Sequence, residues 1–342
     1  MKFNFVKFLA AAGIIFFLLS NTYAQSVKQI AFASTNSSNE MLQIFLMDED
    51  GGNKRQITEL DENCYFPKFS PDGKSLVFNT DGTRVYYIEN IDDTGKITPV
   101  YIFDGFHPMF SPDGSFIIFN SEFEGYLSIY ALGINDKDPI SLSLGSYSNQ
   151  QVMTNDGTKL IYSAFDEEGT KSIFMENLED TTADALKKIS SNKNSNLEPD
   201  VTSDGQVFVY ASFNTNLEGT IILNKGGKEI ALTKGDSWQT PKFSRDDNKI
   251  ACVKIVDEST IKLYVMNSDG SNKKELSVKG GNVGTYTWID SENILYDAET
   301  GTASTIGIVN INSGKVQVLT NDGINITPDI QHDYIQPDEE EN

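Results

Sequence analysis

A turn-forming pentapeptide recurs along this chain at a nearly constant interval, and the recurrence restricts the fold more than any other feature. Phe69-Ser70-Pro71-Asp72-Gly73 returns as Phe110-Ser111-Pro112-Asp113-Gly114. It returns again, with substitutions, as Met153-Thr154-Asn155-Asp156-Gly157, Val201-Thr202-Ser203-Asp204-Gly205 and Phe243-Ser244-Arg245-Asp246-Asp247. Successive aspartates lie 41, 43, 48 and 42 residues apart, and a weaker copy follows at Trp288-Ile289-Asp290-Ser291. Units of this length cannot bury a hydrophobic face alone; they stack, or close into a ring, to share one core.

Each unit reads as four strands. Ser-Pro-Asp-Gly suits a type I turn, with proline presetting φ at the second position and glycine closing the fourth. A short apolar run follows, such as Leu76-Val77-Phe78, Phe116-Ile117-Ile118-Phe119 or Ile294-Leu295-Tyr296. Near-continuous rather than alternating apolarity marks a strand covered on both faces, as in a sheet sandwiched between neighbours. A third strand (Ile44 to Met47, Ile129 to Leu132, Leu263 to Met266) runs into hairpin signals such as Asp48-Glu49-Asp50-Gly51 and Asn267-Ser268-Asp269-Gly270. The fourth is amphipathic, as in Glu229 to Thr233, and suits a wet outer edge. The only helical signal is one turn over Asp184 to Lys188, in a long polar stretch from Glu176 to Leu197.

The pattern predicts an all-β chain: a single β-propeller of seven four-stranded blades over residues 25–335, with six blades as the alternative count. The first unit lacks an innermost strand, and Ile326-Thr327-Pro328-Asp329-Ile330 resembles the innermost strand Tyr65-Phe66-Pro67-Lys68-Phe69. The C-terminal strand is therefore expected to complete blade one and close the ring, removing two exposed sheet edges. The ends carry other signals. Lys2 and Lys7, the apolar run Phe8 to Leu19 and Thr22-Tyr23-Ala24 have the order of a secretory signal peptide over 1–24. The competing signal anchor would need about 20 apolar residues. Residues 336–342 read as an acidic unstructured tail.

Function is constrained mainly by exclusion. The formal net charge is −22, and −24 without Lys2 and Lys7, which argues against nucleic acid and against docking on anionic lipid. No membrane insertion is expected after signal cleavage. Cys64 and Cys252 fall in different blades and are expected to be separate thiols. No cofactor or metal is expected: His107 and His332 are the only histidines and occupy unequal places in the repeat. Asp48 to Asn53 lacks the later bidentate glutamate of a calcium loop. No Gly-x-Ser-x-Gly motif is present.

The repeat resembles a known family. Phe-Ser-Pro-Asp-Gly, an aromatic-rich strand, Met266-Asn267-Ser268-Asp269-Gly270-Ser271-Asn272 and Leu-Thr at Leu232-Thr233 or Leu319-Thr320 look like the WD40-like repeats of TolB-type propellers, over about residues 28–335. The resemblance implies a periplasmic or secreted binding module. The family's best-known member belongs to the Tol–Pal envelope complex and binds a lipoprotein over the central opening. That member carries an α/β domain before its propeller and has six blades, which sets the present chain apart.

Register then nominates a channel mouth. The residue before the repeat's proline position starts each innermost strand: Thr327, Phe66, His107, Gln150, Glu198, Thr240 and Thr285. Tyr65, Phe106, Tyr147, Asn149, Trp238, Gln239 and Tyr286 lie beside them. Aromatic groups with hydrogen-bonding neighbours have the composition of an interaction hot spot. The expectation is a non-catalytic monomer that binds an envelope or secreted protein at this mouth, with the bland alternative that the aromatics only pack between blades. A carbohydrate-binding or carbohydrate-cleaving propeller is the other reading: Trp238, Tyr65 and Tyr286 would stack on sugars, and Glu198 would act as acid or base.

Overall fold

A computed structural model describes residues 27–332 except 36–39, 94–96, 144–146, 181 and 258; the signal-peptide and acidic-tail expectations lie outside the described residues. The chain forms seven four-stranded antiparallel sheets, each a meander from an innermost to an outermost strand. The sheet containing Gln29–Thr35 takes its innermost strand, Asn325–Ile330, from the other end of the described chain. Ile30 pairs with Ile330 and Ser34 with Asn325, so the ring is closed as the strand count requires.

The innermost strands are Cys64–Phe69, Phe106–Phe110, Asn149–Met153, Ser195–Val201, Ser237–Phe243, Val283–Trp288 and Asn325–Ile330. Second strands are apolar on both faces because each is covered by two neighbouring blades: Leu76, Val77 and Phe78 are all fully buried. The turn before each second strand is fixed by more than proline. Ser70, Ser111, Thr154, Thr202 and Ser244 each donate Oγ–H to the aspartate two residues on, at 2.5–2.7 Å. The Gly73 N–H then closes the turn on the Ser70 carbonyl at 2.8 Å.

The polar stretch from Glu176 holds a short 3-10 turn, Ala183–Ala185, and then the outermost strand Leu186–Lys188, so the helical expectation there ends two residues into its span. Leu186 pairs with Glu176, which shows why: the segment completes a blade, and tertiary pairing overrides local preference. Cys64 and Cys252 are buried, free and in different blades.

Candidate functional site: the channel mouth

Six of the seven innermost strands carry a non-glycine residue in the left-handed backbone region at the nominated mouth position. These are Phe66 (φ 52°), His107 (49°), Gln150 (56°), Glu198 (56°), Thr240 (49°) and Thr327 (52°). Such a conformation is uncommon for any side chain and unfavourable for a β-branched one. At the same point the pairing with the second strand slips, as between Tyr65 and Lys68 or Gln239 and Lys242. Each is therefore a β-bulge, which bends the strand and re-aims a side chain.

The bulge frees an N–H that bonds to the preceding blade. Phe66 N–H donates to Thr327 Oγ1 (3.2 Å), Glu198 N–H to Gln150 Oε1 (3.2 Å) and Thr240 N–H to Glu198 Oε2 (2.7 Å). In two other blades a second-strand side chain accepts in place of the preceding mouth residue. His107 N–H donates to Asn79 Oδ1 (3.1 Å) and Thr327 N–H to Asp297 Oδ1 (3.0 Å).

Phe66, His107, Gln150, Thr285, Tyr286 and Thr327 line a cavity of about 290 Å³ at the mouth, together with Lys68, Met109 and Lys242. Phe66 meets His107 edge-on at 4.8 Å, and Phe106 meets it at 5.3 Å. Tyr65, half-buried, flanks Phe66 at 6.4 Å. The blade-two and blade-three side of the mouth is thus aromatic. Gln150, Glu198 and Thr240 form a polar arc opposite, with Glu198 and Thr240 just outside the cavity lining. Tyr286 replaces the repeat's proline and is almost wholly buried. Its hydroxyl donates to the Thr240 and Ala251 carbonyls, so it offers the channel little more than an edge.

Trp238 does not belong to the mouth. It is 3% exposed, packs edge-on against Tyr264 at 4.9 Å and joins Val209, Ile221 and Ile250 between blades five and six. The position two before the mouth residue is buried in the other blades as well, as Cys64, Ser148, Asn196, Val283 and Asn325 show. The bulge explains the misplacement: it interrupts the strand's alternation, so two residues apart no longer means the same face.

A second ring, unseen in the sequence, lies two residues deeper and includes Lys68, Met109, Asp200, Lys242 and Asp329. Regular alternation resumes after the bulge, and counting two on from each mouth residue finds it. Lys68 Nζ pairs with Asp329 Oδ1 at 2.8 Å. Lys242 Nζ donates to the Tyr286 carbonyl at 3.1 Å and stands 5.5 Å from that ring's centre. Its ammonium is open to the lumen yet ringed by protein, and burial followed by repulsion from Lys68 pulls its pKa down to about 8. Burial pushes Asp200 up to about 6 and raises Glu198 also, against the Thr240 N–H bond and Lys242. His107 is lowered by burial and by Lys68. Among the described residues no group of three or more His, Cys, Asp or Glu side chains is placed to hold a metal ion.

This geometry defines a ring-closed β-propeller with a built channel mouth. Residues 23–288 match the family model described as the TolB beta propeller domain, and the chain belongs to that family. No curated protein matches its sequence. Among solved structures it is similar to TolB from Acinetobacter baumannii, at 15% identity and a TM-score of 0.54, covering 88% of this chain and 66% of that one. It is also similar to a puromycin-hydrolyzing peptidase from Mycobacterium tuberculosis (14% identity, TM-score 0.66), covering 86% of this chain but only 53% of the peptidase. The propeller domain of the Trilobed protease from Pyrococcus furiosus matches at 14% identity and a TM-score of 0.61, with 86% and 94% coverage. At these identities the likeness is one of fold.

Proposed function

We propose that this protein is a non-catalytic binding module of the periplasm or extracellular space that engages a protein partner on the mouth face of its ring. The observation that carries the reading is that, of the two ends of the ring, the mouth end holds most of the exposed apolar residues. Met41, Phe123, Tyr126, Tyr147, Leu217 and Ile324 are exposed on connections at the mouth end, and Phe165 and Val256 are exposed on the second-strand ends beside them. The opposite end exposes Val27 and Phe116, and the outermost strands expose Val100, Tyr101, Ile140 and Ile230 around the rim. Apolar groups gathered around a structured opening mark an interaction face. Six strained bulges at that opening accord with this, because strain persists where function maintains it. Membership of the TolB propeller family agrees with a binding role.

The test is crosslinking capture from envelope extract with residues 25–342 as bait, beside a Phe66→Ala, His107→Ala variant of confirmed fold. A protein retained by the parent and lost by the variant is the expected result. Equal capture by both would remove the mouth from the reading. Glycan binding or cleavage is favoured by one feature, the raised pKa of Glu198 across the mouth from Tyr65 and Phe66. Glu198→Gln with unchanged glycan binding and turnover would dispose of it.

A further inference from the structure

The lumen contains cationic donors that the protein leaves largely unused. A second cavity of about 270 Å³ continues the channel toward the opposite end, and Met109, Gln151 and Lys242 line both. The carboxylates around it already have donors: Asp329 accepts from Lys68 and the Phe69 N–H, Asp200 from the Phe243 N–H, and Glu198 from the Thr240 N–H. Lys242 is different. Among the described residues no carboxylate lies within ion-pair distance of its Nζ, and its one hydrogen bond goes to a neutral carbonyl. An ammonium has three donors, so two remain for a ligand. Arg245, on the same strand's continuation, also lacks a carboxylate at ion-pair distance and contacts His332.

We infer that the channel is a carboxylate site, taking an organic monoanion whose apolar body rests against Phe66, His107 and Met109 and whose carboxylate reaches Lys242. Charge-assisted hydrogen bonds in a site screened from bulk water are the strong kind. A dianion such as phosphate fits less well, because it would also face Glu198, Asp200 and Asp329. The inference deepens the mouth reading and rests on it. The carboxylate is either that of a polypeptide terminus or that of a free small acid.

N-acetyl-phenylalanine and its amide, titrated calorimetrically into the full chain at pH 7, are the probes. The acid is expected to bind at least tenfold more tightly than the amide. Lys242→Met should abolish that preference and Lys242→Arg should keep it. Equal binding of acid and amide by the parent, or a preference surviving Lys242→Met, overturns the inference. The parent protein gives a second readout that needs no variant. Lys242 faces Lys68, Glu198, Asp200, Asp329 and Tyr286. Asp200, at about 6, has largely ionised by pH 7, so affinity for the acid should fall as pH passes from 7 to 9.5 and Lys242 loses its proton. A flat profile also overturns it. A peptide ending in phenylalanine that binds tenfold better than N-acetyl-phenylalanine identifies a chain terminus as the source, and equal binding identifies a small acid. Partner capture that Phe66→Ala destroys and Lys242→Met leaves intact would remove a partner's chain terminus as the source while the interaction reading stands.

Discussion

Replacing Ile330 by alanine tests how much the last strand contributes to holding the ring together. Ile330 is fully buried and packs with Ile30, Phe32, Phe45 and Met47 of blade one and with Leu295 and Ile306 of blade seven. The substitution removes three carbons at about 0.8 kcal/mol each and leaves a cavity between two sheets that cannot easily collapse. The expected loss is about 3–4 kcal/mol, read as a lower urea midpoint at unchanged slope. Ile230→Ala, on an exposed outer strand, is the control and should cost under about 0.5 kcal/mol. Deleting everything from Asn325 onward goes further. It removes Ile330 and the buried Asn325, whose Oδ1 accepts from Ser34 and whose Nδ2 donates to the Ser304 carbonyl. It also bares the inner edge of blade one. Together these losses are comparable with the whole net stability of a typical domain, about 5–15 kcal/mol. The deleted chain should show no cooperative transition. A deletion that unfolds at the same midpoint as the parent would refute closure as a source of stability.

Four further outcomes are expected. Trp238→Ala should cost about 3–5 kcal/mol by urea unfolding, since its ring is part of the core between blades, whereas Phe66→Ala should cost about 1 kcal/mol or less and act on partner capture instead. Thr240→Gly should raise stability by about 0.5–1 kcal/mol in the same assay, because it relieves a β-branched residue at φ 49°. Asp297 is buried and pushed up to about 6, so the folded state holds a proton that the unfolded chain releases near 3.8. Its contribution makes stability fall as pH rises from about 4 to 6, and unfolding titrations at both pH values should find that component of the slope gone in Asp297→Asn. Burial pushes both Cys64 and Cys252 thiols up to about 12, so neither should react with an aromatic disulfide reagent at pH 8 until the protein is unfolded.

Blade number and closure were legible because they depend on local signals. Each Ser/Thr-x-Asp turn announces a second strand, and a unit without an innermost strand requires one from elsewhere. The turn's hydroxyl-to-aspartate bond also explains why Thr154 and Thr202 keep the motif working where proline is lost. What was not legible depends on the bulge. Simple alternation from Thr240 puts Trp238 in the channel, whereas a backbone at positive φ sends it between blades. The same device conceals the ring of Lys68, Lys242, Asp200 and Asp329, whose residues carry no motif and meet only when the seven strands converge. The strand Leu186–Lys188 is a plainer case, since Ala and Leu favour helix until pairing with Phe174 to Glu176 decides otherwise.

The bulge hydrogen bonds also give the mouth its two sides. On the polar side the mouth residues themselves hold the next blade: Gln150 accepts from Glu198, and Glu198 from Thr240. The second-strand residues opposite their flanks are then Ser163 and Ala211, which are not needed as acceptors. Blade two works the other way. Phe66 cannot accept a hydrogen bond, and Asn79, paired with Tyr65, supplies the oxygen for His107 N–H. Blade seven repeats the arrangement with Asp297, which serves both Thr285 and Thr327. Moving the clasp onto the second strand releases Phe66 from structural duty, whereas Thr285 stays tied to Asp297 through its own hydroxyl. Phe66 can stand in the aromatic wall because Asn79 behind it holds the His107 strand in its place. A ligand thus meets one apolar wall and one polar arc, and seven similar repeats give a mouth with a direction.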